Sequence, residues 1–384
     1  MNLHTKQSHG VGANKTLLAV ATLVGTTIGA GAFAIPYVFS QSGVITCLIY
    51  FFIVGILAIF LHLFFGEIVL RTKDETRLIG LAKKYLGQKG KLLVGVALII
   101  GTVGSLLIYI ILAGQFLSLI FPNLLSSASF SLLAWIVLAF LVFLGTHSIA
   151  KAEIFMNAFL FLVGGLIIVF CFPKIQTSNF ILSNSKVLFL PFGIFLFSMV
   201  GWSAVPESED ILVDKKKLKK AIITALLVCL AFYILFGLAI SGVTGKATTQ
   251  EAFLGLVPYL GKNIIILAGI FGLLAVATSF ITIANYLKNT LVFDLKIPKR
   301  ISFVLAVGLP ALLFLLGLRS FVSLVATLGA VIGLIEGGSI VLIWLKAKKM
   351  GDRNPEYQVK LPKVFAYLSI GLLLAGSLAQ FFYK

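Results

Sequence analysis

Residues Gly25-Thr26-Thr27-Ile28-Gly29-Ala30-Gly31-Ala32-Phe33-Ala34-Ile35-Pro36 place three glycines, two threonines and a proline in the middle of an otherwise apolar run. Glycine costs a helix about 1 kcal/mol relative to alanine, and proline removes an N–H and collides with the preceding turn. The stretch therefore predicts a helix that comes apart locally. A second run is interrupted in the same way at Phe197-Ser198-Met199-Val200-Gly201-Trp202-Ser203-Ala204-Val205-Pro206-Glu207. Both contain the frame Gly-x-x-Ala-(Ile/Val)-Pro, at Gly31 to Pro36 and at Gly201 to Pro206, offset by 170 residues.

The solvent around these breaks follows from composition. Of 384 residues, 60% are hydrophobic and 11% charged, and the mean hydropathy is +1.10, which excludes a soluble globular domain. Apolar runs longer than about 18 residues suffice to cross a bilayer as helices. Eleven are readable, at 15–41, 43–70, 91–120, 130–147, 153–172, 187–211, 219–243, 263–288, 300–317, 320–345 and 363–383. A lipid-facing segment must satisfy its own backbone, and the runs lack barrel-type alternation, so the predicted class is an all-α membrane protein. One transmembrane domain fills residues 1–384, with no space for a soluble one.

Five crossings separate the two breaks, so the sixth span runs antiparallel to the first. Any repeat built on the shared frame is then inverted across the membrane plane. Spans one to five (about 15–172) and six to ten (about 187–345) become the halves, with the helix at 363–383 appended. Unwound backbone survives at membrane depth only where it is buried in protein or lines a polar cavity, and there it can bind an ion or a zwitterion. Gly25-x-x-x-Gly29 alone reads equally well as a helix-packing pattern; the matched frame in antiparallel spans favours transport.

The net charge of +18 belongs to topology. With a cytoplasmic amino terminus, 25 of the 31 Lys and Arg residues fall in inner segments, and only Lys174, Lys186, Lys246, Lys262, Arg319 and Lys384 fall outside. That is the positive-inside asymmetry, and it puts the carboxyl terminus outside. The inner lysines face anionic lipid; short loops between spans do not make a nucleic-acid surface. An uncleaved first span is expected despite the Ala32-Phe33-Ala34 cleavage-like triplet. Cys47, Cys171 and Cys229 lie in separate spans and read as small apolar residues. Leu78, Leu81, Ala82, Tyr85 and Leu86 recur at helical spacing in the loop after span two, predicting an interfacial helix.

Gly25 to Pro36 resembles the first-span signature of the amino acid/polyamine/organocation superfamily. The likeness is greatest to the amino acid/auxin permeases and the bacterial hydroxy- and aromatic-amino-acid permeases, and it covers nearly the whole chain. It implies a LeuT-like fold of two inverted five-helix repeats and secondary active transport of an amino acid, with no obligate protein partner. It also implies a substrate carboxylate on the amides around Thr26, Thr27, Gly29, Ala30 and Gly31, where a half-helix start supplies free N–H groups. The ammonium would meet carbonyls near Phe197, Ser198 and Gly201, and the side chain Phe33, Tyr109 and Trp202; for Tyr109 plain helix packing is an equal reading.

For a coupling ion the resemblance implies Na+ or H+, with no other cofactor. Ala275, Thr278 and Ser279, with the carbonyls of Gly25 and Ile28, match a sodium site of hydroxyls and carbonyls; the hydroxyls bonding back to their own helix is the alternative. No lysine in 153–172 replaces that sodium, which favours Na+, and Ala32 stands where a second site commonly has asparagine. Glu336, mid-span in Gly333-Leu-Ile-Glu336-Gly-Gly338, is a structural hydrogen bonder first and a coupling or gating group second, and Glu207 is a further gating or coupling candidate. Glu67, Glu209 and Asp210 are expected to pair with inner cations. His4, His9, His62 and His147 lack metal spacing, and no catalytic grouping or phosphate loop appears, so the chain is not read as an enzyme or ATP-driven pump. A channel, or a proton-coupled carrier of another small organic solute, is the alternative.

Overall fold

The computed structural model describes residues 8–73, 77–144, 149–293 and 295–382; His4, Lys6, His147 and Lys384 lie outside them. Every regular element among the described residues is helical. The first predicted span is two helices, α1 (Ser8–Thr27) and α2 (Gly31–Ser42), bent by 59° at Ile28 to Ala30. Gly43, at φ 90°, turns the chain into α3 (Val44–Arg71). Next comes α4 (Leu78–Ile120), which Gly87 breaks at φ 80°. Residues 78–86 are thus a separate short helix, as their spacing predicts, and Leu78, Leu81, Ala82 and Tyr85 are buried against the protein. The Tyr85 hydroxyl lies 2.9 Å from the Thr72 Oγ1.

The helices α5 (Ser127–Leu144) and α6 (Ile149–Cys171) follow. The second predicted break falls as expected: α7 (Leu190–Ser198) ends, Met199 to Gly201 are unwound, and a 3₁₀ turn at Trp202–Ala204 leads into α8 (Val205–Ile211) with Pro206 in its first turn. Proline suits that place, because a first-turn N–H has no helical partner to lose. The rest is α9 (Leu218–Thr244), a short turn α10 (Val257–Leu260), α11 (Lys262–Phe293), α12 (Lys299–Leu315), α13 (Phe321–Ile332), α14 (Gly338–Met350) and α15 (Lys363–Phe382). Between α13 and α14 the helix widens into a π turn at Gly333–Gly337, a form that recurs at functional sites.

Among the described residues eight helices are long and apolar enough to cross a membrane, nine with the bent pair α1 and α2 counted as one. The protein is a multi-pass α-helical membrane protein.

Packing brings the two breaks together. The α1 helix lies against α8 and α9, α2 against α7 and α9, and α7 against α13, while α4 runs along α11. Backbone-on-backbone contact joins α7 to α13: a β-carbon on Gly193 would overlap the Ala326 carbonyl, and one on Gly329 the Gly193 carbonyl. Small residues permit such approach, which drives helix association where no hydrophobic effect operates between helices. At the lysine-rich end, Glu67 is fully buried; it pairs with Arg71 at 2.9 Å and accepts from Trp344 Nε1 at 2.9 Å and the Val359 amide at 2.8 Å. Glu209 pairs with Lys215 at 3.0 Å. Two of the three expected inner pairings are thereby present.

Candidate substrate site at the paired breaks

At the first break the chain leaves helical geometry after Thr27, and α2 restarts at Gly31. The Gly29 amide turns back to the Thr27 carbonyl at 3.1 Å, and the Ala32 and Phe33 amides fold onto the Gly29 and Ala30 carbonyls. The Ala30 and Gly31 amides are left with no hydrogen bond among the described residues. Two free N–H groups at the start of a helix are an anion site in the making.

The two breaks interlock through their glycines. A β-carbon on Gly31 would overlap Ser198 Oγ and stand 2.8 Å from Ser198 Cα. One on Gly201 would overlap Thr27 Oγ1 and stand 3.3 Å from His62 Nε2. The frame glycine of each break is therefore required by the other break. Across the seam, Tyr233 on α9 points its hydroxyl at both the Thr27 carbonyl (2.9 Å) and the Ser198 carbonyl (2.8 Å). One phenolic proton is shared between two carbonyls that their own helices release, which ties the unwound segments to a third helix.

A cavity of about 590 Å³ opens beside this seam. Its wall takes Thr22, Thr26 and Gly29 from span one, Ser105 and Tyr109 from α4, Trp202 and Ser203 from span six, Ser279 and Thr282 from α11, and Glu336 from the π turn. It runs to Arg77, Glu207 and Asp210, where Arg77 and Glu207 pair at 3.5 Å with side chains about half exposed. At the opposite end of α4, Phe33 stacks edge-on against Phe116 (5.0 Å between centroids) and Phe253 (5.7 Å). All three rings are buried, so the cavity is open toward the lysine-rich end and plugged at the other.

Of the residues named from sequence, Thr26, Gly29, Tyr109, Trp202, Ser279, Glu207 and Glu336 line the cavity. Thr27, Ala30, Gly31, Ser198 and Gly201 are buried in the seam behind it, Phe33 is in the aromatic plug, and Phe197 packs on Gly329. Of the sodium candidates, Ser279 reaches the cavity, whereas Gly25, Ile28, Ala275 and Thr278 are not part of its wall. Thr278 Oγ1 donates to the Leu274 and Ala275 carbonyls of its own helix. Trp202 Nε1 donates to Glu336 Oε2 at 2.8 Å, so a break residue and the mid-span carboxylate form one unit.

Two residues at the seam have no signal in the sequence. Tyr233 is one of many aromatics in an unbroken span. His62, without metal spacing, is fully buried on α3; its Nδ1 lies 2.8 Å from the Ala58 carbonyl, its Nε2 has no hydrogen-bond partner among the described residues, and its ring is 5.7 Å from Trp202.

Comparison with known proteins agrees with this geometry. Over 96% of its length the chain superposes on 98% of MhsT, solved in complex with L-phenylalanine, with a TM-score of 0.67; at 15% identity this shows a shared LeuT-like fold. Two proteins of Haemophilus influenzae are similar in sequence. Tyrosine-specific transport system 1 is 26% identical over 293 residues, 70% of each chain, and tyrosine-specific transport system 2 is 27% identical over 253 residues, 61% of this chain and 60% of that one. The sequence profile of the tryptophan/tyrosine permease family matches residues 13–379. The chain belongs to the tryptophan/tyrosine permease family, an amino acid permease group of the amino acid/polyamine/organocation type, and is a transporter rather than an enzyme.

Proposed function

We propose that the protein takes up an aromatic amino acid by alternating access, as a symporter driven by Na+ or H+, with the substrate held at the two breaks. One observation carries the reading: two helices unwind where they face each other, beside a cavity that reaches one end of the bundle and is plugged at the other. The substrate carboxylate sits on the Ala30 and Gly31 amides, which Thr26, Thr27 and Gly29 present. The ammonium meets carbonyls around Phe197, Ser198 and Gly201. The side chain lies among Tyr109, Trp202 and Phe33. Relatives named as tyrosine-specific, and a structural neighbour that binds L-phenylalanine, support an aromatic substrate.

In this reading the chain is one domain of eleven spans, two inverted halves of five and a last helix, in the cell membrane. The amino terminus is cytoplasmic and the carboxyl terminus outside, and the cavity faces in. Gly25, Ile28, Ala275, Thr278 and Ser279 would close around Na+ only when α1 and α11 approach each other. A channel is disfavoured because Phe33, Phe116 and Phe253 fill the path with packed rings. The test is uptake into proteoliposomes of labelled tyrosine, tryptophan, phenylalanine, serine and leucine under imposed Na+ or pH gradients. Saturable accumulation of the aromatic amino acids above equilibrium is expected; gradient-independent leak of any solute refutes the proposal.

A further inference from the structure

We infer that His62 is a positioning residue of the substrate site: its Nε2 accepts the Gly201 N–H when span six closes on the substrate, which aims the Val200 carbonyl at the substrate ammonium. The inference deepens the proposed function and rests on its placing of the ammonium at the second break.

His62 is fully buried on α3, with its Nδ1 2.8 Å from the Ala58 carbonyl. A carbonyl can only accept, so Nδ1 carries the proton of that bond, and the neutral ring keeps a bare lone pair on Nε2. That nitrogen has no hydrogen-bond partner among the described residues. A buried acceptor left unpaired costs free energy, so a state in which it gains a donor is favoured.

The side-chain donors of the seam are already engaged. Thr27 Oγ1 donates to the Leu23 carbonyl at 2.7 Å and Ser198 Oγ to the Ile194 carbonyl at 2.7 Å, while Tyr233 serves the two released carbonyls and the Trp202 indole serves Glu336. The backbone supplies what is left. The Gly201 amide, buried in the second break, has no acceptor among the described residues. A β-carbon on Gly201 would stand 3.3 Å from His62 Nε2, which puts the bare nitrogen beside the residue that carries the free amide.

Helix α3 is a firm post for that bond. One residue beyond His62, the Leu63 carbonyl accepts from the Tyr357 hydroxyl at 2.8 Å, and Glu67 ties the same helix to Trp344 and Val359. The unwound segment is the softer partner, so its peptide turns toward the histidine. In a trans peptide the N–H and the preceding C=O point in opposite directions. Turning the Gly201 N–H toward α3 therefore turns the Val200 carbonyl away from it, and Val200 is part of the cavity wall whereas His62 is not. The ammonium then meets an acceptor that is held in place from behind.

Two substitutions separate the roles of the ring nitrogens. The amide of His62→Asn reaches the level of Nδ1 and can donate to the Ala58 carbonyl, as Asn285 does to the Ile281 carbonyl at 2.9 Å, but it stops short of Gly201. The amide of His62→Gln reaches the level of Nε2 and offers its oxygen there, without the Ala58 bond. With the full chain in detergent, equilibrium binding of labelled L-tyrosine and thermal unfolding should cross over. His62→Asn should keep the melting temperature and weaken the Kd about tenfold, the weight of one buried hydrogen bond. His62→Gln should melt lower, yet stay within about threefold of the wild-type Kd. In a cryo-EM structure of the wild type with L-tyrosine bound, Nε2 should stand about 3 Å from the Gly201 nitrogen. Wild-type affinity in His62→Asn, a Kd that follows the melting temperature in both variants, or an Nε2 set against the substrate ammonium in place of the Gly201 amide overturns the inference and leaves the transport reading standing. A wild-type protein that binds no amino acid and moves none under any gradient overturns both.

Discussion

Replacing either frame glycine by alanine should damage the site, but only one replacement should be repairable. In Gly201→Ala the added methyl meets the Thr27 Oγ1; with that oxygen gone, the nearest neighbours are Thr27 Cβ at 3.1 Å and His62 Nε2 at 3.3 Å. In Gly31→Ala the methyl meets Ser198 Oγ, but Ser198 Cα stands behind it at 2.8 Å, and backbone cannot rotate aside. Overpacking of this kind costs about 1–3 kcal/mol. If the substrate needs both breaks in their present register, each alanine should weaken binding roughly 5- to 150-fold, at about 1.4 kcal/mol per tenfold. Thr27→Ala added to Gly201→Ala should recover affinity to within about threefold of Thr27→Ala alone, since residual contacts need shifts of only a few tenths of an ångström. Ser198→Ala added to Gly31→Ala should recover little. The assay is equilibrium binding of labelled tyrosine to purified protein, with circular dichroism to confirm helix content. Wild-type affinity in both single variants, or equal rescue by both second changes, would refute the interlock.

Three further outcomes are expected. Tyr233→Phe leaves two buried carbonyls without their shared donor, a loss of about 1–3 kcal/mol that should appear as a lowered melting temperature and weaker tyrosine binding. Glu67→Ala strands Arg71 and two N–H donors in a dry site and should destabilise the protein by about 3–5 kcal/mol, read by thermal unfolding in detergent, without changing which amino acid binds. Outside the spans, the Lys84 ammonium and then the Lys73 amide hold the Asp352 carboxyl below its ordinary range. A depressed carboxyl stabilises the fold above its unfolded pKa of about 3.9 and loses that contribution as pH falls through the folded value. Protease sensitivity of the 351–362 segment should therefore rise only in acid below about pH 4, and Asp352→Asn should show the sensitive behaviour at neutral pH.

The helical class, the places of both breaks and the short helix at 78–86 were legible because each follows from local chemistry: apolar length, glycine with proline, and apolar spacing between lysines. The seam was half legible. Gly31 and Gly201 stood out through their shared frame, yet nothing local says that each faces the other break, since that contact spans about 170 residues of sequence. Tyr233 and His62 were invisible for a related reason. A tyrosine or histidine in an unbroken apolar helix looks the same whether it meets lipid, a neighbouring ring or a released carbonyl, and only the packing of α9 and α3 decides. Glu336 was conspicuous by its charge and Trp202 by its place in the second break, but their pairing was not, because a 134-residue separation hides the indole bond.

The site is tested most directly at Gly29, where the cavity meets the first break. A β-carbon there finds only the Tyr109 hydroxyl, at 3.6 Å, an ordinary contact, and the longer side chain of Gly29→Leu should fill the cavity space beside the free amides. Saturable binding of labelled L-tyrosine to the wild type, and its loss in a Gly29→Leu protein with unchanged membrane insertion and helix content, is the predicted result. Undiminished binding by Gly29→Leu would contradict the account.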